Sequence, residues 1–286
     1  MRIIGWIATG SFYLLLYMLL LAGSDPVVRR LDYHPPGWDR RDGTMRLVLL
    51  TDTHMAMPGD TPERLARIVA RINMLHPDLI LLGGDYASTS SLTFRHYSPA
   101  EAVAPFARLK ARHGVVAVFG NHDHWANAGA VGMALADAGA VSLVNGAIRR
   151  GPLVIGGVDD DYTDQADVRA TADTMRRMGG IPVLLSHSPD VFPAVPRRIG
   201  LVLAGHAHCG QIVLPFIGAP YVPSRHGQRF RCGIYRNGGQ LLIVSAGVGT
   251  SILPLRLGAP PDIWVIDISA RDRPGVPGSR EASSRS

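Results

Sequence analysis

Lysine and cysteine are both scarce in this chain, and each scarcity excludes a class of protein. Of its 286 residues, 29 are Lys or Arg, and Lys110 is the single lysine among them. The net charge of +6 comes from arginines spread along the chain, not from a basic block with interleaved aromatic residues, which a nucleic-acid reader would show. The two cysteines, Cys209 and Cys232, are too few for a disulfide framework and lack the spacing of a metal knuckle. We therefore predict no nucleic-acid partner, and the cysteines leave the redox compartment open.

Two familiar signatures are also missing. No Gly-x-Ser-x-Gly elbow occurs, so the sequence does not carry the nucleophile turn of a serine hydrolase. No internal repeat is present. Charged residues make up 18% of the chain and hydrophobic residues 47%, as in a globular enzyme with a membrane segment. This length fits one large domain with a full core, or at most two small ones.

The N-terminal segment is the longest apolar run. Residues 3–24 carry no charge over 22 positions, which is enough to cross a hydrocarbon layer of about 30 Å. A cleaved signal peptide usually has a shorter apolar core, of about 7–15 residues. We predict a single-pass anchor for residues 1–24, with cleavage after the small residues 22–24 as the alternative. Arginines are more frequent after the segment than before it, which favours a catalytic domain on the cytoplasmic face of a bacterial inner membrane, with the periplasmic face as the alternative.

The rest of the chain divides by composition and periodicity. Residues 25–44 are rich in Pro and Gly and indicate a linker, residues 45–269 form the predicted domain, and residues 270–286 indicate a disordered tail. Thr61-Pro62-Glu63 and Ser98-Pro99-Ala100-Glu101 are typical helix starts between buried strands, which predicts a β-α-β-α-β first half. The second half has hairpin signals and a helix near 165–178. We predict an α/β fold with α+β elements: a four-layer αββα sandwich of two mixed sheets flanked by helices.

Polar motifs follow five of the short apolar runs. In each case they lie at the predicted carboxyl end of a strand, where open α/β sheets place their sites. The motif side chains with metal-ligand chemistry are Asp52, His54, Asp85, Asn121, His187, His206 and His208. Three oxygen donors and four imidazoles suit Mn²⁺, Fe²⁺ or Zn²⁺ and are poor for Ca²⁺.

Seven donors are too many for one ion and are about right for two ions that share a bridging carboxylate. Two metals roughly 3.5–4 Å apart clamp the attacking and leaving oxygens of an in-line displacement and hold a hydroxide nucleophile near neutral pH. We therefore expect two divalent ions as cofactors, with Mn²⁺ first and Fe²⁺ or Zn²⁺ as alternatives. A phosphoester is the substrate class that this chemistry indicates.

The ordered motifs D-x-H, G-D, G-N-H-D, a lone H and G-H-x-H resemble the calcineurin-like metallophosphoesterase superfamily over about residues 45–269. The resemblance implies one metal on Asp52, His54 and His208 and a second on Asn121, His187 and His206, with Asp85 as the bridge. It also implies that His122 protonates the leaving oxygen or stabilises its charge, and that Asp123 orients His122.

In the C-terminal third, the segments Gly205–Gln211, Leu214-Pro215 and Val244–Thr250 resemble a bacterial branch with an N-terminal membrane segment. That branch includes phosphodiesterases and UDP-2,3-diacylglucosamine pyrophosphatases of lipid A synthesis. It implies a phosphorylated small molecule or a lipid-linked nucleotide as substrate, and hydrolysis of UDP-2,3-diacylglucosamine is the specific expectation. Cys209 stands where relatives commonly have glycine, and we interpret it as a small buried side chain.

Several alternatives stay open at this point. A general phosphodiesterase or phosphomonoesterase at the cell envelope would share every motif, and a non-catalytic membrane-tethered binding module would be expected to lack a ligand or His122. A DNA nuclease of the same superfamily would need a DNA-binding region, and none is visible in the sequence. Arg225 and Arg229 are candidate substrate-binding residues on a loop. The run Asp159-Asp160-Asp161 indicates an acidic solvated turn, and a monomer is expected.

Overall fold

A computed structural model of the chain describes residues 2–271, so nearly all of the predicted tail, residues 270–286, lies outside the described residues. The helices are α1 (Arg2–Ala22), α2 (Pro62–Met74), α3 (Pro99–Val103), α4 (Asn121–Asp137) and α5 (Val168–Met178). The strands are β1 (Val27–Tyr33), β2 (Met45–Leu50), β3 (Ala56–Met57), β4 (Leu79–Leu82), β5 (Arg95–His96), β6 (Val115–Ala117), β7 (Ala140–Ser142), β8 (Gly146–Arg150), β9 (Leu153–Gly157), β10 (Ile181–Leu185), β11 (Leu201–Ala204), β12 (Gly233–Asn237), β13 (Gln240–Val244) and β14 (Asp262–Ile268).

Two six-stranded sheets carry the fold. The first has the order β1-β14-β2-β4-β6-β7, and the second has the order β12-β13-β11-β10-β9-β8. Both are mixed: β2, β4, β6 and β7 run parallel, whereas β14 is antiparallel to β2. In the second sheet β9, β10, β11 and β13 run parallel, and β8 and β12 are antiparallel edges. The mixed sheets that the sequence predicts are confirmed.

Three apolar clusters separate the four layers. The central cluster joins alternate side chains of the two sheets, such as Leu47 and Leu81 from the first and Val183 and Leu203 from the second. The strand side chains on the outer face of the first sheet pack against α2, α3 and α4. Those on the outer face of the second sheet pack against α5. Because both faces of each sheet are covered, the strands are continuous apolar runs with little alternation.

The predicted helix starts are confirmed in detail. Thr61 is the N-cap of α2, where its hydroxyl accepts from the backbone N–H of Arg64, and Pro62 is the first helical residue. Ser98 and Glu101 form a reciprocal capping box at α3. α5, which the sequence predicts near 165–178, ends at Met178, and its C-cap Gly179 has a φ of 63°, in the left-handed region that favours glycine.

The segment predicted as a linker, residues 25–44, is not one. Its residues Val27–Tyr33 form β1, which pairs in parallel with β14 over seven residues and completes the edge of the first sheet. The prolines that suggested a linker flank this strand at Pro26 and Pro35, where they mark its ends. The folded domain therefore begins almost directly after α1.

Within residues 2–271, α1 is the one helix that is long and apolar enough to cross a membrane. Its side chains are exposed for most of its length, whereas Ala22 at its end is buried. The guanidinium of Arg64, itself 5% exposed, donates to the carbonyls of Ala22, Gly23 and Ser24 and forms an ion pair with Asp60 at 2.9 Å. The end of α1 is thus held against the domain by a buried arginine.

Candidate metal centre

The two sheets bring the predicted ligands together at one edge of the sandwich. Each ligand lies just after the carboxyl end of a strand, and all of them are buried. In chain order, Asp52 and His54 follow β2, Asp85 follows β4, Asn121 follows β6, His187 follows β10, and His206 and His208 follow β11.

Most of the predicted ligands at this edge share an unusual backbone conformation. Five of the seven residues have a positive φ, between 41° and 65°: Asp52, His54, Asp85, His206 and His208. This region is uncommon for residues other than glycine, and Asp, Asn and His occur in it more often than most. Such strain is typical of functional sites, where the surrounding structure holds it in place. Gly120 and Gly205 lie so close to the Asp85 and Asp52 carboxylates that a Cβ at either position would overlap them.

The first ligand group consists of Asp52, His54 and His208. The Nε2 atoms of the two histidines lie 2.9 Å apart, and Asp52 Oδ1 lies 3.4 Å from Nε2 of His208. These atoms have the separations of ligands around a single small cation, and Asp52 is held in place by the hydroxyl of Thr51 and the backbone N–H of His206. All three ligand side chains are closed off from solvent.

The second group consists of Asp85, His187 and His206, with Asn121 next to it. Nε2 of His187 lies 3.2 Å from Asp85 Oδ2 and 3.1 Å from Nδ1 of His206. Nδ1 of His187 donates to the carbonyl of Gly83 at 2.8 Å, because a carbonyl oxygen only accepts. That bond fixes the tautomer and turns Nε2 towards the group, as in many metal-bound histidines.

Asp85 lies between the two groups. Its Oδ2 is 3.4 Å from Nε2 of His54 in the first group and 3.2 Å from Nε2 of His187 in the second. Its Oδ1 accepts from the backbone N–H of His122 at 2.9 Å. One carboxylate oxygen therefore faces both groups, which is the geometry of a bridging ligand. The groups together fit a dinuclear metal site.

A buried polar atom without a partner supports the fit. Among residues 2–271, Asn121 Oδ1 lies beside the second group, is enclosed and has no hydrogen-bond partner. Leaving such atoms unpaired costs free energy, and a bound cation offsets that cost by using the ligand oxygens and nitrogens around it. Neutral imidazoles and carboxylates form a donor set that suits divalent transition metals.

Burial keeps three of the four histidines, His54, His206 and His208, in the neutral form that binds metal. Burial lowers the pKa of His206 to about 3 and lowers the pKa values of His54 and His208 well below the usual range. For Asp85, burial raises the pKa, but the neighbouring histidines, His187 first, hold it well below its ordinary value. For His187, burial lowers the pKa, and the carboxylates, Asp85 first, raise it above the usual range.

His122 lies beside the ligands with a defined tautomer. Its Nδ1 accepts from the backbone N–H of Thr89 at 3.3 Å, and the Thr89 hydroxyl lies 2.7 Å from the same atom. Because an N–H only donates, Nδ1 is the acceptor and the ring proton is on Nε2. Nε2 lies 3.4 Å from the hydroxyl of Ser251, and His122 lines the cavity above the metal groups. His122 also shares a cluster with His54 and Asp85.

The expectation that the Asp123 carboxylate orients His122 by contacting its ring is wrong. The Asp123 carboxylate is fully buried and accepts from the backbone N–H groups of Asp85, Tyr86 and Gly120 at 2.8 to 3.0 Å. It joins the loop after β4 to the loop after β6, and Thr89 is the residue that contacts the His122 ring. A side chain three residues into α4 faces the backbone of its own helix start, which explains the difference.

A cavity of about 540 Å³ opens over both metal groups. His122, Asn121, His206 and His208 lie at its base, and its walls include Trp125, Tyr162, Tyr221, Ile252 and Leu253. The Tyr162 ring lies 5.1 Å from the His206 ring, centroid to centroid. The walls are therefore mostly aromatic and aliphatic, and the polar groups are concentrated at the base.

The two arginines predicted to bind substrate do not line this cavity. Arg225 forms an ion pair with Asp161, and its backbone N–H donates to Asp190 at 2.6 Å. Arg229 lies over the Phe230 ring at 5.1 Å. In this structure the two side chains contact other parts of the protein and not the cavity, and substrate binding by Arg225 and Arg229 stays a prediction.

Three features of the site region had no signal in the sequence. Asp160 is fully buried, so the predicted solvated turn at 159–161 is wrong: the turn after β9 folds inward. Cys209 is buried as expected, but it forms a disulfide with Cys232, 23 residues away. Arg256 is fully buried and donates to the carbonyls of Ala246 and Gly249. Each depends on a contact between distant segments.

Comparison with known proteins identifies the family. The sequence profile described as calcineurin-like phosphoesterase matches residues 45–210, which contain every ligand of the two groups. The chain belongs to this family. It is a metal-dependent phosphoester hydrolase of the calcineurin-like fold, as the ordered motifs indicate.

Three relatives are similar over most of this phosphoesterase. The uncharacterised metallophosphoesterase YkuE of Bacillus subtilis is 31% identical over 245 residues, covering 82% of this chain and 82% of that protein. Phosphodiesterase YaeI of Escherichia coli is 30% identical, covering 67% and 70% respectively. A transmembrane protein with a metallophosphoesterase domain from Danio rerio is 31% identical, covering 77% of this chain and 52% of its own length.

Proposed function

We propose that this phosphoesterase is a two-metal phosphodiesterase anchored to a membrane by α1. The observation that carries the proposal is Asp85, whose Oδ2 faces a ligand group on each side, with His122 next to both groups. In this proposal Asp52, His54 and His208 hold one ion, Asn121, His187 and His206 hold the other, and Asp85 serves both. Bound ions would polarise the phosphoryl oxygens and supply a nucleophile near neutral pH.

His122 is proposed as the group that donates a hydrogen bond to the leaving oxygen and stabilises the negative charge that develops on it. Its proton is on Nε2, the nitrogen that is not bound to Thr89 and that faces Ser251 and the cavity. A neutral imidazole N–H at this position can donate to an oxygen as the ester bond breaks. Burial lowers the pKa of His122, so the neutral ring is the form present near neutral pH.

The substrate is proposed to be a phosphodiester at the cell envelope. The name of YaeI supports a phosphodiester rather than a monoester, and the apolar cavity walls favour a substrate with an apolar part. UDP-2,3-diacylglucosamine is the specific candidate that the sequence resemblance suggested. The Cys209–Cys232 disulfide weighs against it, because disulfides persist outside the cytoplasm, whereas UDP-sugars are made inside it.

For the same reason we propose the catalytic domain on the extracytoplasmic side. The arginines after α1 favour the cytoplasmic side, but that rule weakens when a long domain follows the segment. The disulfide is the more specific observation, since both cysteines lie in the catalytic domain.

Hydrolysis by the metal-loaded full chain tests the proposal. Metal-stripped protein is reloaded with Mn²⁺ and given bis-p-nitrophenyl phosphate, p-nitrophenyl phosphate and UDP-2,3-diacylglucosamine in parallel. We expect the diester to be cleaved fastest. Preference for the monoester would contradict the phosphodiesterase assignment. Preference for UDP-2,3-diacylglucosamine would instead identify the protein as a pyrophosphatase of that nucleotide.

His122→Ala tests this hydrogen bond. The variant should keep its metals and lose about 10²–10³-fold in turnover for a diester with an alkyl leaving group. The loss should be much smaller for a p-nitrophenyl leaving group, because that group delocalises its own negative charge. His34→Ala, at an exposed histidine bonded to Ser269, is the matched control. A His122→Ala protein that purifies without metal would identify His122 as a ligand instead.

A further inference from the structure

An exposed apolar surface surrounds one side of the cavity mouth. We call it the apolar rim, and it consists of Met57, Leu92, Phe94, Phe216, Ile217, Ile252 and Leu253. Phe94 is 87% exposed and Ile217 is 67% exposed. Contiguous apolar patches are rare on soluble proteins and mark a place where another apolar phase or molecule binds.

The segments of the rim are tied to one another. The hydroxyl of Ser90 donates to the carbonyl of Ile252 at 3.1 Å, which joins the loop of residues 90–94 to that of residues 250–254. The backbone N–H of Phe94 donates to the carbonyl of Met57 at 3.0 Å. The segment of residues 212–217 carries Phe216 and Ile217. In it, the backbone N–H of Val213 donates to the carbonyl of Leu257 at 2.7 Å. These bonds hold the segments that carry the rim next to one another.

This surface continues onto the end of α1. The backbone N–H of Arg256, four residues after Ile252, donates to the carbonyl of Met18 at 3.1 Å. Met18 is four residues before Ala22 at the end of α1, a distance of about 6 Å along a helix. The loop that carries Ile252 and Leu253 is thus beside the last turn of the apolar helix. If α1 crosses a bilayer, this loop reaches the level of its surface.

The rim also continues into the cavity. Leu92, Ile252 and Leu253 line the cavity as well as the surface, and Trp125 and Tyr221 extend the apolar wall towards the metal ligands. Apolar side chains therefore run from the end of α1 to the base of the site. A phosphoester whose apolar part stays in a membrane could follow this path.

We propose that the apolar rim docks into the surface of the bilayer that α1 spans, so that the cavity receives phosphodiesters of amphiphiles held in that bilayer. The inference rests on the proposed phosphodiesterase function and names its substrate class. Aromatic and aliphatic side chains are stable at the boundary between headgroups and acyl chains. The position of α1 indicates that the binding partner of the rim is a bilayer, because a membrane that holds α1 would lie next to the rim.

Two chromogenic diesters with one leaving group test this inference. The full chain is reconstituted in phosphatidylcholine vesicles with Mn²⁺ and given either hexadecyl p-nitrophenyl phosphate, which partitions into the bilayer, or methyl p-nitrophenyl phosphate, which stays in water. The test variant is Phe94→Glu combined with Ile217→Glu, since both residues lie outside the cavity. Met133→Glu, at a residue of α4 that is also 67% exposed, is the control.

We expect the double variant to hydrolyse the hexadecyl diester at least about tenfold more slowly, because charged side chains do not enter the bilayer boundary. Its rate on the methyl diester should stay within about twofold of the original chain, since burial of the rim contributes nothing to a soluble substrate. Met133→Glu should change neither rate. The inference is overturned if the double variant hydrolyses the two diesters in the same ratio as the original chain. Two unchanged rates would leave the rim to a protein partner. Equal losses on both diesters would show a general effect on the site.

Failure of the underlying function gives a different result. If the original chain, loaded with Mn²⁺, Fe²⁺ or Zn²⁺, hydrolyses neither diester, the phosphodiesterase proposal itself fails. If it hydrolyses both and the rim variants do not alter the ratio, the catalytic proposal stands and the bilayer docking does not.

Discussion

At the scale of single residues, Thr89 determines what His122 can do. Two donors of Thr89, its backbone N–H and its hydroxyl, converge on Nδ1 of His122. They leave the proton on Nε2, which faces the cavity. An imidazole with the other tautomer would present a lone pair to the leaving oxygen and could not donate a hydrogen bond to it. Thr89 is thus a positioning residue for the proposed hydrogen-bond donor.

Thr89→Val should lower kcat about tenfold for a diester with an alkyl leaving group, with little change in KM. The substitution keeps the shape and removes the hydroxyl, and one hydrogen bond of about 1–1.5 kcal/mol corresponds to roughly tenfold in rate. Metal content should stay as in the original chain, because Thr89 is not a ligand. Steady-state kinetics with an alkyl and a p-nitrophenyl leaving group measure both effects, and the second should be less affected.

Thr89→Ser is the matched control for that substitution. It retains the hydroxyl and the backbone N–H, so it should restore most of kcat. If the serine variant is as slow as the valine variant, the methyl group of Thr89 and not its hydroxyl positions the ring.

Some residues of this site could be predicted from the sequence and others could not. The seven predicted ligands follow strand ends, so local sequence was enough to group them. Thr89 and Asp160 have no such signal: Thr89 reaches His122 across 33 positions, and Asp160 is buried only because the turn after β9 folds inward. The Asp123 assignment was wrong because its contacts go to backbone N–H groups of another loop, which no side-chain motif records.

At the scale of elements, the Cys209–Cys232 disulfide links the metal-binding loop after β11 to the start of β12. Cys209 directly follows the ligand His208, so the bond restrains a loop that is already in left-handed conformations. Closing a loop of this length in the unfolded chain contributes about 3 kcal/mol to stability in the chain-entropy description.

Replacing both cysteines by serine should therefore lower the free energy of unfolding by about 3 kcal/mol, measured by denaturant titration of the metal-free chain. The original chain treated with a reductant should behave like the variant, whereas the variant itself should not respond to the reductant. Thiol trapping in intact cells gives the location: we expect no free thiol in an extracytoplasmic chain. Two free thiols, with unchanged stability in the variant, would contradict both the bond and the location.

Prediction of elements succeeded where the pattern was local. The capped helices α2 and α3 start where the sequence predicts, after Thr61 and Ser98. β1 was missed because its prolines flank it, and edge strands show weak alternation. α4 was missed because it begins at the metal motif itself, contains Gly129 and Gly132, and departs from helical geometry at Asn127.

At the scale of the whole molecule, two sheets supply ligands to one site. The first sheet carries Asp52, His54, Asp85 and Asn121, and the second carries His187, His206 and His208. Each proposed ion needs ligands from both sheets, so metal binding links the two halves of the sandwich. The architecture could be predicted from the order of strands and helices, whereas the position of α1 against the domain could not, because it depends on Arg64.

Metal stoichiometry tests the central claim most directly. Elemental analysis of the Mn²⁺-reconstituted chain should give two ions per chain at full activity. Asp85→Ala should lose both ions, because Asp85 faces both groups, whereas His54→Ala should weaken mainly one. One ion per chain at full activity, or an Asp85→Ala variant that keeps two ions, would contradict the two-metal account.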